Sequence, residues 1–237
     1  MGGMKNSENT GAGAPAPTFE LLGFPAGAFQ TNCYVLINTD ESAAHDGQGR
    51  RPATVVDPGH GAHEVISGAA GEHNFYVESI VLTHGHIDHM RDAAEFGVPV
   101  HVHDYDRSML ENPGMYTNVL DFARIFDTEN MRVPEDIRNL GDEISIGGQT
   151  FTVHHMPGHS PGSVMFRIPG LILGGDVLFN GGVGRTDLPG SDPADMTLSL
   201  KRLAAEFDDD DVVLPGHGPQ TTIGQEKKTN PFLHEVG

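Results

Sequence analysis

The chain contains a single cysteine and no apolar run long enough to cross a membrane. One cysteine cannot build a disulfide framework within the chain. The N-terminus also lacks the basic segment and apolar core of a secretory signal. These absences predict a protein of the reducing cytoplasm with no membrane partner.

Basic residues are also scarce, with 14 Lys and Arg against 33 Asp and Glu, and the formal net charge is −19. A surface of that charge repels phosphate backbones, so nucleic acid is not an expected partner. Cys33 lies beside Tyr, Val, Leu and Ile, which do not supply the base that a nucleophilic thiol needs. We therefore expect Cys33 to pack inside a strand.

At 237 residues the chain is long enough for one sizeable core. Residues 1–17 are rich in Gly, Ala, Asn and Pro and predict a disordered tail, which leaves 18–237 as a single domain. Strands followed by helices occur twice, which predicts two similar halves packed face to face with helices outside. The expected strands are 19–24, 32–37, 53–57, 78–83, 98–102, 143–146, 149–155, 163–168, 171–173 and 212–214, and the expected helices are 62–71, 90–96, 104–110, 195–207 and 224–232.

Metal-binding side chains are densest in the stretch T-H-G-H-I-D-H at residues 83–89. It follows a predicted buried strand and precedes a predicted helix, so it falls on a loop of the kind that carries function. In an extended segment His84 and His86 point the same way and can bind one ion, while Asp88 and His89 face a neighbouring position. The alternatives are a plain surface loop or a structural zinc, which would more often use Cys.

Three further segments share one pattern, in which an apolar strand end is followed by a glycine turn and a metal-binding residue. Glycine lets the backbone approach closely and aim that side chain at a buried ion. With the 83–89 stretch they make a set of five His and two Asp. Seven donors exceed one tetrahedral ion and suit two ions that share a carboxylate, which can make a hydroxide nucleophilic at neutral pH. The three residues are His159, Asp176 and His217.

Other candidate groups compete with this interpretation. Ser160 lies in a G-x-S-x-G pattern, but the nucleophile elbow of serine hydrolases needs an N–H from the next residue, and Pro161 has none. Asp57 ends a predicted strand and is either a partner of a metal ligand or a turn or helix cap. His101 and His103 share one face of a strand, lack a neighbouring acid and are expected to be structural.

The T-H-x-H-x-D-H stretch at residues 83–89, followed in order by His159, Asp176 and His217, resembles the metallo-β-lactamase superfamily from about Phe19 onward. The resemblance implies an α/β fold, a four-layer αββα sandwich. It implies two divalent metal ions, with zinc expected and iron or manganese as alternatives. It assigns His84, His86 and His159 to one ion, Asp88, His89 and His217 to the other, and Asp176 to both.

Within that superfamily the chain is similar to the small glyoxalase-II-like hydrolases, also called hydroxyacylglutathione hydrolase-like. The similarity includes G-R-T-D-L-P-G at residues 184–190 and G-H-G-P-Q-T-T at 216–222. It implies hydrolysis of a small-molecule thioester by a metal-bound hydroxide that Asp88 orients. Arg185 and Asp187 most simply pair to brace the loop that carries Asp176, and a substrate contact by Arg185 is the alternative.

The sequence leaves the thiol of the substrate and the type of reaction open. Classical glyoxalase II enzymes bind glutathione through basic residues of a C-terminal helical extension, and no matched position here supports that specificity.

Persulfide dioxygenases of the same superfamily carry a similar G-R-T-D loop, so a mononuclear-iron oxidoreductase is the alternative function. Imidazole and carboxylate ligands suit iron as well as zinc. A binding module without catalysis would need closed coordination shells, which seven donors over two ions do not provide. Residues 111–140 are a candidate substrate mouth, and the oligomeric state is not predicted.

Overall fold

The computed structural model describes residues 18–112 and 122–235. The tail expected at 1–17 and part of the 111–140 segment therefore lie outside the described residues. The strands are β1 (Phe19–Ala26), β2 (Thr31–Asn38), β3 (Arg51–Val56), β4 (Phe75–Val81), β5 (Val100–Val102), β6 (Ile137–Asn139), β7 (Glu143–Ile146), β8 (Gln149–His155), β9 (Val164–Ile168), β10 (Leu171–Gly175), β11 (Leu178–Phe179), β12 (Gly182–Val183), β13 (Val212–Pro215) and β14 (Thr221–Thr222). The α-helices are α1 (Ala62–Glu72), α2 (Ile87–Met90), α3 (Arg107–Glu111), α4 (Phe122–Ile125), α5 (Pro193–Glu206), α6 (Ile223–Thr229) and α7 (Pro231–His234).

Two sheets of six strands form the centre of the fold. The first has the order β1-β2-β3-β4-β5-β6, and the second has the order β14-β13-β10-β9-β8-β7. In the first sheet β1 to β3 pair antiparallel and β3 to β6 pair parallel. In the second, β10 and β13 pair parallel and the remaining pairs are antiparallel.

Side chains that alternate along β2 show how the first sheet buries both of its faces. Cys33, Val35 and Ile37 belong to the core under α1, whereas Leu36 belongs to the core between the sheets. Successive side chains of a strand point to opposite faces, so an apolar run of this kind needs cover on both sides. Cys33 is fully buried in β2, as expected.

Helices cover the outer faces of the two sheets. Helix α1 buries Ile66 against the first sheet, and α5 buries Met196, Leu200 and Leu203, which are spaced along one helical face, against the second. Asp192 starts α5 by accepting hydrogen bonds from the N–H groups of the first turn. A third core lies between the sheets, so the order of layers is helix, sheet, sheet and helix, and the predicted αββα sandwich is confirmed.

The structure differs from the sequence expectations at several element ends. Helix α2 begins at Ile87 and not at Met90, because the N–H groups of His89 and Met90 both donate to the carbonyl of His86. The expected helix at 224–232 is interrupted after Thr229, because Pro231 has no N–H to continue it and instead starts α7. Strand β6 and the β11–β12 hairpin were not predicted, since two or three residues show no period.

Helices long and apolar enough to cross a membrane are absent from the described ranges.

Candidate metal centre

The donors expected from the sequence converge at one edge of the two sheets. Each follows the end of a strand, where turns bring loops together above the sheet edge. His84 and His86 follow β4, and Asp88 and His89 lie in the first turn of α2. The others follow strands of the second sheet: His159 after β8, Asp176 after β10 and His217 after β13.

The seven side chains form overlapping groups whose ligand atoms lie within 4.8 Å of one another. Asp176 connects the groups through different oxygen atoms. Its Oδ1 lies 3.3 Å from His89 Nε2, and its Oδ2 lies 3.5 Å from His159 Nε2 and 3.5 Å from His217 Nε2. A carboxylate that lies between the groups in this way can be shared by two ions. The groups are His84 with His86 and His159, His84 with His89 and Asp176, and Asp88 with His89 and His217.

Hydrogen bonds determine which nitrogen most of these rings present to the centre. Four rings place Nδ1 against an oxygen atom that can accept a hydrogen bond from its N–H, which leaves the Nε2 lone pair facing the other metal-binding groups. His86 differs, because its Nδ1 lies 2.9 Å from His159 Nε2 and faces the centre. The four contacts are His84 to Thr83 Oγ1 at 3.1 Å, His89 to Asp57 Oδ2 at 3.0 Å, His159 to the Arg185 carbonyl at 2.9 Å and His217 to the Phe29 carbonyl at 3.1 Å.

Buried atoms without partners test whether these residues fit a metal. His84 Nε2, His89 Nε2 and Asp176 Oδ1 are buried and make no well-formed hydrogen bond, although the last two lie 3.3 Å apart as an ion-pair contact. A buried polar atom left unpaired costs about 1–3 kcal/mol, which a bound cation would remove. Imidazole nitrogens and carboxylate oxygens are ligands of zinc, iron and manganese. The residues present therefore fit divalent metal ions.

The electrostatics of the centre favour neutral imidazoles on one side and a cation on the other. Burial and the neighbouring imidazoles hold the pKa of His84 well below its usual value, and burial lowers the pKa of His86 to about 3. Burial also lowers the pKa of His89, but the carboxylates of Asp176 and Asp88 outweigh it and raise that pKa well above the usual value. Positive charge is therefore stabilised where His89 faces the two carboxylates.

Asp57 is a partner of a metal-ligand candidate, one of the two roles left open by the sequence. Its Oδ2 accepts from His89 Nδ1 at 3.0 Å and from Thr83 Oγ1 at 2.7 Å, and its Oδ1 accepts from the Thr83 N–H at 2.8 Å. The side chain is almost fully buried. Asp57 therefore both orients the His89 ring and anchors Thr83 at the start of the 83–89 stretch.

Asp106 was not identified from the sequence, and it is fully buried. Its carboxylate accepts from the N–H of Gly85 at 2.8 Å, the hydroxyl of Ser160 at 2.6 Å and the N–H of Gly162 at 2.7 Å. It therefore joins the loop of His84 and His86 to the loop of His159. No local pattern separates Asp106 from the exposed Asp104, so the sequence carried no signal for it. Ser160 is 1% exposed and bound to this carboxylate, which agrees with its exclusion as a nucleophile.

Asn32 holds the loop of His217 and was also not identified from the sequence. Its amide nitrogen donates to the carbonyls of Pro215 at 3.0 Å and Gly218 at 2.8 Å. The start of β2, in the first sheet, thereby fixes a loop of the second. His103, by contrast, stacks on His155 with ring centroids 4.2 Å apart and takes no part in the centre, as expected.

A cavity of about 450 Å³ lies directly over the donors. His86, Asp88, His159, Asp176 and His217 form its polar floor. Arg185 also lines it and pairs with Asp187 at 2.6 and 2.8 Å, so the simpler sequence interpretation of this pair agrees with the geometry. The remaining walls are apolar: Phe29, Ile87, Met109 and Phe122 from the first half of the chain, and Phe179, Val183, Leu188 and Pro189 from the second. Phe122 belongs to the segment that was expected to form a substrate mouth.

Comparisons with known proteins agree with this fold. The family model described as the metallo-beta-lactamase superfamily matches residues 26–217. A Mycobacterium tuberculosis protein is 38% identical over 230 residues, covering 90% of this chain and 97% of the relative. The hydroxyacylglutathione hydrolase GloC of Haemophilus influenzae is 33% identical over 219 residues, covering 89% of this chain and 96% of the relative.

Two solved structures at comparable identity share the fold. BLEG-1, described as a B3 metallo-beta-lactamase, superposes with a TM-score of 0.73 at 34% identity, covering 90% of this chain and 99% of the other. TTHA1623 in a di-iron-bound form superposes with a TM-score of 0.71 at 33% identity, covering 89% and 99%.

Proposed function

Because this chain belongs to the metallo-beta-lactamase superfamily, we propose that it is a metal-dependent hydrolase that cleaves a thioester. The observation that carries this proposal is the set of seven converging candidate metal-binding residues, five of which form the floor of one cavity. Among the described residues that line the cavity there is no Ser, Thr, Cys or Lys. The nucleophile is therefore expected to come from water.

In this proposal the seven donors hold two divalent ions. His84, His86 and His159 bind one, Asp88, His89 and His217 bind the other, and Asp176 contacts both. We propose zinc as the metal, and the di-iron form of TTHA1623 makes iron the first alternative to test. When bound, such a pair lowers the pKa of a coordinated water toward neutrality and polarises the carbonyl of a substrate.

Asp88 is proposed to orient the attacking water and accept its proton. The Thr31 hydroxyl donates to Asp88 Oδ2 at 2.9 Å, and His217 Nε2 lies 3.1 Å from the same oxygen. Although burial alone would raise it, His89 and His217 hold the pKa of Asp88 below its usual value. The carboxylate therefore stays ionised and held in one orientation, so that it can accept a hydrogen bond from the attacking water.

The lack of a protonated carboxyl group in the cavity wall supports a thioester over an amide. A thiolate leaves without a proton, whereas an amine leaving group needs one. The acidic side chains of the described cavity wall are Asp88 and Asp176, and the pKa of each is lowered, mainly by His89 against the effect of burial. Neither would carry a proton to give at neutral pH. The similarity to GloC, a hydroxyacylglutathione hydrolase by name, points the same way.

The mononuclear-iron oxidoreductase is the weaker alternative. It would use fewer of these donors, whereas Asp88, His89 and His217 form a complete second group within 4.8 Å. We also propose a small-molecule substrate, no nucleic-acid or membrane partner and a cytoplasmic location, which suits a chain whose single cysteine is buried and unpaired.

The test begins with metal analysis of protein purified without added metal, followed by thiol release from a panel of thioesters. We expect about two divalent ions per chain and thiol release that a chelator abolishes and added zinc restores. One iron per chain with oxygen consumption on a persulfide would support the oxidoreductase. Cleavage of a β-lactam without cleavage of any thioester would contradict the proposal.

A further inference from the structure

The first wall of the cavity is a preformed aromatic cluster. The rings of Phe29 and Phe122 lie 5.8 Å apart, and each also packs against Phe126, at 5.1 and 5.4 Å, with the planes near perpendicular. Phe126 is 1% exposed and anchors the cluster, whereas Phe29 remains 42% exposed at the cavity. An aromatic surface held in place and left partly open gains free energy when an apolar group covers it.

The second wall is the β11–β12 hairpin, which the C-terminal helices hold in place. The N–H of Gly181 donates to Glu226 Oε2 at 2.8 Å, and the Asn230 amide donates to the Gly182 carbonyl at 3.0 Å. Glu226 and Asn230 are themselves fully buried and bound to each other at 2.8 Å. A hairpin of two-residue strands is marginal alone, so this buried network keeps the wall formed.

His217, one of the candidate metal-binding residues, contacts both walls of the cavity. Its ring lies 6.1 Å from the ring of Phe179 on the hairpin, with the planes at 80°. Its Nδ1 donates to the carbonyl of Phe29, the aromatic residue of the first wall, at 3.1 Å. The acyl group of a substrate whose carbonyl lies over His217 is therefore next to aromatic side chains.

Apart from the proposed metal ions, the described part of the cavity has no unpaired Lys or Arg side chain that could bind the carboxylates of a substrate. Arg185 is its single Lys or Arg, and the bidentate contact with Asp187 already offsets its charge. Residues 113–121 contain neither Lys nor Arg. Lys227 of α6 is bound to Asp209 at 2.7 Å and to the Phe207 carbonyl. The carboxylates of glutathione would lose water here without gaining a partner, which is costly.

From these contacts we propose that the substrate is an uncharged thioester with an aromatic or branched aliphatic acyl group, and that glutathione thioesters are poor substrates. This inference rests on the proposed function and names its substrate class. The cavity of about 450 Å³ suits a whole small molecule. Water supplies the new C–O bond, the C–S bond breaks, the electron pair leaves with sulfur as thiolate, and Asp88 passes the proton of water to solvent.

The test is a two-by-two set of thioesters that separates the acyl group from the thiol. Phenylacetyl and lactoyl groups are each joined to N-acetylcysteamine and to glutathione, and kcat/KM is measured on the metal-loaded protein. We expect the phenylacetyl ester of N-acetylcysteamine to exceed S-lactoylglutathione by about tenfold or more. A higher kcat/KM for S-lactoylglutathione would overturn the inference.

Variants test whether the walls of the cavity cause the preference for an aromatic acyl group. Phe179→Ala should lower kcat/KM for the phenylacetyl esters by about tenfold and change it little for the lactoyl esters. Phe232→Ala is the matched control, because Phe232 is 45% exposed on α7 and does not line the cavity. Equal losses for both acyl groups in Phe179→Ala would contradict an acyl contact with this wall.

Binding measurements separate failure of this inference from failure of the proposed function. Thioether analogues of the same four compounds cannot be hydrolysed, and calorimetry gives their affinities for the metal-loaded protein. If no thioester is cleaved but the uncharged aromatic thioether binds most tightly, the thioesterase proposal fails and the preference of the cavity stands. If the glutathione thioethers bind more tightly, the preference is wrong whatever the reaction.

Discussion

The backbone N–H of Gly85 donates to Oδ2 of Asp106 at 2.8 Å, and the N–H of Thr83, two residues earlier, donates to Oδ1 of Asp57 at 2.8 Å. His84 therefore stands between two anchored peptides, each held by a buried carboxylate. The same Asp106 also binds Ser160 and Gly162 around His159. One aspartate thus sets the spacing of the loops that carry the three-histidine group.

Replacing Asp106 should loosen that group. In Asp106→Asn an amide NH₂ faces at least one of the N–H or hydroxyl donors, and a hydrogen bond to a buried charge contributes about 1.5–3 kcal/mol. We expect a lower melting temperature, loss of about one metal ion per chain and a matching loss of activity. Elemental analysis and thermal unfolding check this.

The control for that change is Asp104→Asn, two positions earlier on the exposed surface. It makes the same chemical change without touching the loops of the metal centre. Full metal content in Asp106→Asn, equal to that of Asp104→Asn, would show that the carboxylate does not position the ligands.

Asp57→Asn should weaken the ion on the His89 side. The asparagine amide would donate to His89 Nδ1 where the carboxylate now accepts at 3.0 Å. The ring proton would then move to Nε2 and block the ligand lone pair. Loss of such a partner typically lowers metal affinity about 10–100-fold, which competition with a chromophoric chelator measures. An unchanged affinity would exclude control of the tautomer by Asp57.

Asp88→Ala should remove most of the activity while leaving the fold. Loss of a positioned base costs about 10²–10⁴-fold in rate, and α2 tolerates alanine well. Thermal unfolding and kcat for thiol release are the measurements. An active, metal-loaded Asp88→Ala protein would contradict the assigned role.

A smaller effect is expected from Thr31→Val, which keeps the shape of the side chain but removes the hydroxyl that donates to Asp88 at 2.9 Å. The carboxylate would stay in place with one hydrogen bond fewer. We expect kcat to fall by about tenfold, the equivalent of one hydrogen bond to a charged group, with metal content unchanged. A loss as large as that of Asp88→Ala would point to misfolding of β2, which circular dichroism would reveal.

Metal binding should release protons near neutral pH. Burial lowers the pKa of His89, but Asp176 and its neighbours raise it well above the usual value in the metal-free protein, so the ring carries an extra proton there. A metal ion must displace that proton, and affinity should fall as pH falls. Calorimetry in buffers of different protonation enthalpy measures the release. A binding enthalpy independent of the buffer would contradict this.

The convergence of the seven candidate metal-binding residues and the sandwich fold could be predicted from the sequence, for local reasons. His84 and His86 are two residues apart in an extended segment, and His159, Asp176 and His217 each follow an apolar strand and a glycine turn. Strand alternation likewise separates Leu36 from its neighbours Val35 and Ile37 without any knowledge of the partner sheet. Spacings of this kind depend only on the chain near each residue.

Tertiary structure alone decided the contacts between distant segments. The role of Asp106 depends on loops 21 and 54 residues away in the chain, and no local pattern distinguishes it from Asp104. The same holds for the ring nitrogen that each histidine presents, since the acceptors of His159 and His217 are carbonyls from other loops. The second apolar wall, the β11–β12 hairpin, is held in place by Glu226, and no periodicity in the sequence predicts that contact. These contacts join residues far apart in sequence, and only the packing of the two sheets brings them within hydrogen-bonding distance.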